Sequence, residues 1–89
     1  MSSGFRRFLG HLDTALLEMQ SNGQVKGRPP LEAVRSAWLG ATEGLLRDQM
    51  LAEVMDFPGS YDARDVREAS RQVLAGFLTP AGRRLLAKT

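Results

Sequence analysis

Residues 31–56 read LEAVRSAWLGATEGLLRDQMLAEVMD, and this stretch decides the fold. It holds no proline, and it is bracketed by Pro30, which suits the first turn of a helix, and by Pro58-Gly59, which ends one. The spacing predicts a helix over 30–56, about 40 Å long at 1.5 Å per residue. Its apolar residues fall on two adjacent stripes, Leu31-Val34-Trp38-Ala41-Leu45 and Leu39-Leu46-Met50-Val54-Phe57, with Leu51 and Met55 beside them. A face that wide needs more than one neighbour, as the central helix of a bundle or the seam of a dimer would have. Ser36, Gly40 and Gly44, with Ala33, Ala37 and Ala41, put small residues along the middle. Each interior glycine costs about 1 kcal/mol against alanine. Close approach of another helix accounts for them better than a kink or split near Gly40 and Gly44.

Upstream, Phe5, Phe8, Leu9, Leu12, Leu16 and Met19 recur at helical spacing, with Ala15 and Leu17 widening the face, and predict a helix over 3–21 that stops at Ser21-Asn22-Gly23. Residues 20–30, QSNGQVKGRPP, form a loop longer than most connections in small bundles. Its plainest reading is a mobile linker, and the alternative is a binding loop.

Downstream, Ser60 or Asp62 caps a third helix over 61–78, with Asp65 in its first turn and Val66, Ala69, Val73 and Phe77 turned inward. Thr79 caps and Pro80 starts a short last helix over 80–88. The expectation is an all-α bundle of three main helices plus a short fourth, in a single domain spanning 1–89.

Composition agrees. Of 89 residues, 48 are Ala, Leu, Met, Arg, Lys, Glu or Gln, against nine β-branched ones, which argues against a substantial sheet. No cysteine is present, so disulfides, thiolate metal sites and cysteine nucleophiles are excluded. His11 is the only histidine, which rules out an imidazole-built metal site within one chain, and no cofactor is expected. No apolar run approaches the roughly 20 residues that span a bilayer. The first residues, MSSGFRR, lack a signal-type apolar core and a glycine at position 2, so the cytoplasm is the expected location.

Charge is the most informative functional feature. The net formal charge of +2 conceals a partition of +2 over residues 1–28, −3 over 29–59 and +3 over 60–89. The bland account is internal complementarity, with Glu32, Glu43, Asp48, Glu53 and Asp56 facing arginines of neighbouring helices. The functional account is a basic surface of Arg64, Arg67, Arg71, Arg83, Arg84 and Lys88, joined by Lys26 and Arg28, that docks on phosphates or on an acidic partner. Ten arginines against two lysines suit bidentate contacts, although Arg64 and Glu68 have the spacing of a solvated i,i+4 pair.

A helix-turn-helix fits poorly, because the helix ahead of Phe57-Pro58-Gly59-Ser60 lacks the usual glycine pattern. Leu78-Thr79-Pro80-Ala81-Gly82-Arg83-Arg84-Leu85-Leu86 resembles the stretch that follows the wing in winged-helix repressors of the multiple-antibiotic-resistance class. Those nine residues follow a helical pattern here, where the repressors carry wing strands.

Catalysis is not expected. His11 and Asp13, two apart on a helix, point in different directions, and no P-loop or nucleophile-elbow spacing occurs. Trp38 and Tyr61 are candidate partner anchors, but a lone tryptophan on the buried stripe of a central helix reads as core. Phe5, Phe8, Leu9 and Leu12 beside Arg6 and Arg7 would suit a membrane surface, but Asp13 and Glu18 weaken that reading and packing on the long helix explains the same residues. The sequence therefore points to a non-enzymatic protein-protein interaction module, an adaptor or regulator, working through Lys26, Arg28, Arg64, Arg67, Arg71, Arg83 and Arg84 and forming a homodimer through its long helix. A nucleic-acid-binding regulator using the same arginines is the alternative.

Overall fold

The computed structural model describes residues 3–56 and 61–89, and its elements are four helices: α1 (Ser3–Ser21), α2 (Leu31–Val54), α3 (Ala63–Ala75) and α4 (Pro80–Ala87). The all-α expectation holds, and among the described residues β-pairing is confined to one isolated bridge, between Val25 and Leu78. No helix among the described residues is long and apolar enough to cross a membrane.

Each helix end has a local cause. At the end of α1, Gly23 takes φ +73°, a left-handed value that glycine adopts without strain. That turn lets the Gln24 N–H reach the Met19 carbonyl at 2.8 Å and the Gly23 N–H reach Gln20 at 3.0 Å, the paired bonds of a Schellman motif. Pro30 stands one position outside α2, not inside it as the sequence suggested. It is the N-cap residue, its ψ is 151°, and its carbonyl accepts from the N–H groups of Ala33 and Val34. At the far end α2 closes with Asp56 in the left-handed region at φ +53°. The expected terminator Pro58-Gly59, the stripe residue Phe57 and the alternative cap Ser60 lie outside the described residues. Asp62 caps α3 in a reciprocal box, its carboxylate accepting from the Asp65 N–H and that of Asp65 accepting from the Asp62 N–H, both at 3.0 Å.

Two expectations need correction. The third helix ends at Ala75 rather than Leu78, because Phe77 and Leu78 leave the helix to bond with the 20–30 segment. There the Lys26 N–H donates to the Phe77 carbonyl and the Thr79 N–H to the Gln24 carbonyl, both at 3.0 Å. Val25 and Leu78 are buried at the bridge. The 20–30 segment is thus a docked loop, not a bare linker, and its tertiary bonds override the helical periodicity of residues 76–78.

The second correction concerns glycine. Helix α2 runs unbroken through Gly40 and Gly44, and among the described residues no other helix approaches either closely. A Cβ at Gly40 would meet nothing within 4 Å, and one at Gly44 only the Arg47 side chain at 3.8 Å. Close approach occurs instead at Gly82, buried in α4, where a Cβ would lie 2.0 Å from the Gln24 carbonyl oxygen.

The helices pack as successive antiparallel neighbours with α2 between α1 and α3. Arg35 of α2 pairs with Asp13 of α1 at 2.6 Å. On the other side, the Trp38 indole N–H donates to the Ser70 hydroxyl at 3.0 Å. Thr42 donates to the Trp38 carbonyl at 2.8 Å and lies 2.7 Å from the Ser70 hydroxyl. With Thr42's proton committed to the carbonyl, Ser70 must donate to Thr42, and the three residues close a ring of hydrogen bonds across the α2–α3 seam. The buried apolar core among the described residues is small: Leu16, Val25, Val34, Ala52, Val66 and Leu78.

The helix lengths do not match. At 1.5 Å per residue α2 is about 36 Å long and α3 only about 20 Å, so α3 cannot cover the whole length of α2. The radius of gyration is 14.8 Å, against about 12 Å for a chain of this length folded to ordinary density.

Candidate functional site

The basic residues singled out by the sequence divide into two groups. Three of them donate to backbone carbonyls at helix C-terminal ends, where unsatisfied C=O groups and the negative end of the helix dipole attract cations. The Lys26 ammonium donates to the Gly76 carbonyl at 3.0 Å, and Arg83 Nε to the Ala75 carbonyl at 3.4 Å, so both close the end of α3. Arg71 does the same for α4, reaching the Leu86 carbonyl at 2.8 Å and the Thr89 hydroxyl at 3.4 Å. Arg71 and Arg83 also share a shallow groove of about 200 Å³ between α3 and α4 with Glu68 and Gln72.

The remaining five, Arg28, Arg64, Arg67, Arg84 and Lys88, are exposed, and their side chains make no hydrogen bond or ion pair among the described residues. On α3, Arg64, Arg67 and Arg71 follow at i, i+3 and i+7 and share one face. The expected Arg64–Glu68 pair does not form. Glu68 instead accepts from the Gln72 side chain at 3.1 Å.

Internal complementarity does not account for the acidic middle helix. Glu43 pairs with Arg47 of its own helix at 3.0 Å, and the cross-helix pair, Arg35 with Asp13, has the opposite polarity to the one expected. Asp48 accepts from the Tyr61 hydroxyl at 2.9 Å. Partial burial, and then the adjacent Asp48 carboxylate, raise the Tyr61 pKa above its ordinary 10.0. Glu32 and Glu53 are exposed.

His11 is exposed, and Asp13 is committed to Arg35, so the two form no acid–base pair. No group of three or more Asp, Glu or His side chains among the described residues could hold a metal ion.

The sequence did mark the second α2 stripe, and the structure leaves it uncovered. Leu39, Thr42, Glu43, Leu46, Arg47 and Met50 line an open, mostly apolar concavity of about 420 Å³ on the outer face of α2. Leu51, Val54 and Met55 continue the exposed apolar surface toward the helix end. A smaller exposed cluster lies on α1, where the Phe5 and Phe8 rings stand 6.5 Å apart, tilted by 32°.

Two residues escaped the sequence reading. Gly82 was one of nine dispersed glycines, and its role rests on the carbonyl of a residue 58 positions away. Thr79 was read only as a helix cap. It accepts from the Gly82 N–H at 3.2 Å and also donates to the Gly23 carbonyl at 2.6 Å, fastening α4 to the end of α1. Set against protein-family models, curated proteins and solved structures, the chain matches none of them.

Proposed function

We propose that this chain is a non-enzymatic protein-protein interaction module, an adaptor or regulator, that recruits an acidic partner through its C-terminal helices. The observation that carries this reading is the set of exposed guanidiniums of Arg64, Arg67 and Arg84, which make no hydrogen bond or ion pair among the described residues, in a segment of net charge +3. A guanidinium without an internal partner keeps all five donors for a carboxylate, which it meets in bidentate geometry. Lys26, Arg71 and Arg83 hold in place the ends of α3 and α4, the helices that carry those arginines. Arg28 extends the basic surface along the docked loop.

The test is co-purification on the wild-type chain and on the Arg64→Glu/Arg67→Glu/Arg84→Glu variant, with and without nuclease, followed by mass spectrometry. The reading expects nuclease-resistant partners that the variant loses. Partners retained by the variant would overturn it. Partners released by nuclease, together with duplex binding that weakens linearly in log[salt], would replace it with the nucleic-acid-binding regulator.

A further inference from the structure

We propose that the outer face of α2 is a self-association surface, and that a second copy of this chain packs on it antiparallel, about a twofold axis at the height of Leu45. The inference stands apart from the basic-face reading, because it uses residues on the opposite side of the sequence's charge partition.

Amount of surface is the first argument. A 9.8 kDa monomer folded to ordinary density exposes about 5,200 Å², whereas this chain exposes 6352 Å². The excess, roughly 1,200 Å², exceeds the roughly 800 Å² that each partner contributes to a standard stable interface. On α2, Leu46, Met50 and Val54 are 53%, 58% and 76% exposed. Isolated apolar residues are ordinary on a surface, but a row continuing from Leu46 to Val54, about two turns of one helix, is not.

Charge selects the occupant and its register. The only charges lining the concavity are Glu43 and Arg47, one of each sign, four residues apart. Such a pair complements itself when rotated by a twofold axis through its midpoint. That midpoint is Leu45, which is half-buried on the inner side of α2 and whose carbonyl accepts from the Tyr61 hydroxyl, so the side directly opposite is free to face a copy. In this register Glu43 lies level with Arg47 of the second copy, twice. A shift toward either end brings Glu43 against Glu43 or Arg47 against Arg47, which costs affinity.

Shape agrees with the same register. Residues equidistant from Leu45 come level across the axis, so Met50 lies level with Gly40, Val54 with Ser36, and Leu39 with Leu51. Met50 and Val54 thus meet the small residues Gly40 and Ser36, and Leu39 and Leu51 pack on each other; the outer side of Gly40 is open. The glycines in the middle of α2, on which no other helix packs closely among the described residues, are accounted for by the approach of the second helix.

Sedimentation equilibrium between about 1 and 200 µM tests the proposal, with circular dichroism to confirm helicity. The wild type is expected to reach twice 9.8 kDa. Met50→Glu, at a position already exposed, should stay helical and weaken the dimer at least about tenfold in Kd. A wild type that remains monomeric at 200 µM overturns the proposal, as does a Met50→Glu variant that dimerises like the wild type. Direction is read by cysteine cross-linking in this cysteine-free chain. An equimolar mixture of Ser36→Cys and Val54→Cys should form the mixed disulfide in large excess over either homodisulfide. Efficient cross-linking of Val54→Cys alone would show a parallel pair and overturn the register.

Discussion

The junction of the 20–30 loop with the α3–α4 turn and the C-terminal half of α2 are built on opposite plans. The junction carries little apolar sequence, yet Val25 is 3% exposed and Leu78 0%. Backbone bonds from Lys26 and Thr79, and side-chain bonds from Lys26 and Thr79 to the Gly76 and Gly23 carbonyls, fasten it. Helix α2 has the richer apolar sequence and leaves much of it exposed. Apolar content therefore does not locate the core of so small a chain. Val25 and Leu78 are buried where the backbone brings three segments together, whereas α2 buries Val34 and Ala52 on its inner side and leaves its outer face uncovered however apolar it is.

The largest expected effect falls on the junction. Gly82→Ala places a Cβ 2.0 Å from the Gln24 carbonyl oxygen, with backbone on both sides of the clash, so the loop must move. A loss of about 2–3 kcal/mol, read by urea unfolding, is expected from such overpacking. The same substitution at Gly40, where a Cβ meets nothing within 4 Å, should leave a monomer unharmed or stabilise it by up to about 1 kcal/mol. If the two variants behaved alike, the contrast between the regions would be broken.

Thr79→Val comes next. It removes the N-cap bond to Gly82 and the bond to Gly23 together, for a loss of about 1–2 kcal/mol in thermal or urea unfolding. Asp56→Gly should act in the other direction. It relieves a non-glycine residue at φ +53° and removes a negative charge beside the C-terminus of α2, so a gain of about 0.5–1 kcal/mol is expected by the same measurement.

Smallest is the signal at Tyr61, where the exposed region borders α3. It is the only tyrosine, so absorbance at about 295 nm follows its ionisation alone. Partial burial and the Asp48 carboxylate place its midpoint above 10.0. A raised pKa means that the stability due to the neutral phenol is fully present below the unfolded value near 10 and is lost as pH rises through the folded one. Asp48→Asn should move the midpoint back toward the ordinary value.

Much of the fold was legible because its signals are local. The Asn22-Gly23 stop, the Asp62 and Thr79 caps and Pro80 each set a helix end within four residues, and α1 spans the 3–21 predicted from spacing. The end of α3 was misread because Phe77 continues the apolar period, whereas the bonds that pull it out of the helix come from residues 24–26. Of the candidate site, the residue types were legible but their commitments were not. Nothing along the chain distinguishes Arg71, whose guanidinium closes α4, from Arg67, which makes no hydrogen bond or ion pair among the described residues. The uncovered stripe was visible as a pattern. That it stays uncovered follows only from which sides of α2 the helices α1 and α3 occupy, which depends on tertiary packing.

The most direct measurement of the central contrast is amide hydrogen exchange of the native chain at low and high protein concentration. The N–H groups of Lys26 and Thr79, both bonded across the junction, are expected to be among the slowest at every concentration. Amides of residues 46–54 should exchange faster at low concentration and slow markedly as it rises, when the second copy covers them. Fast exchange at Lys26 and Thr79, or exchange over 46–54 that ignores concentration, would contradict the account.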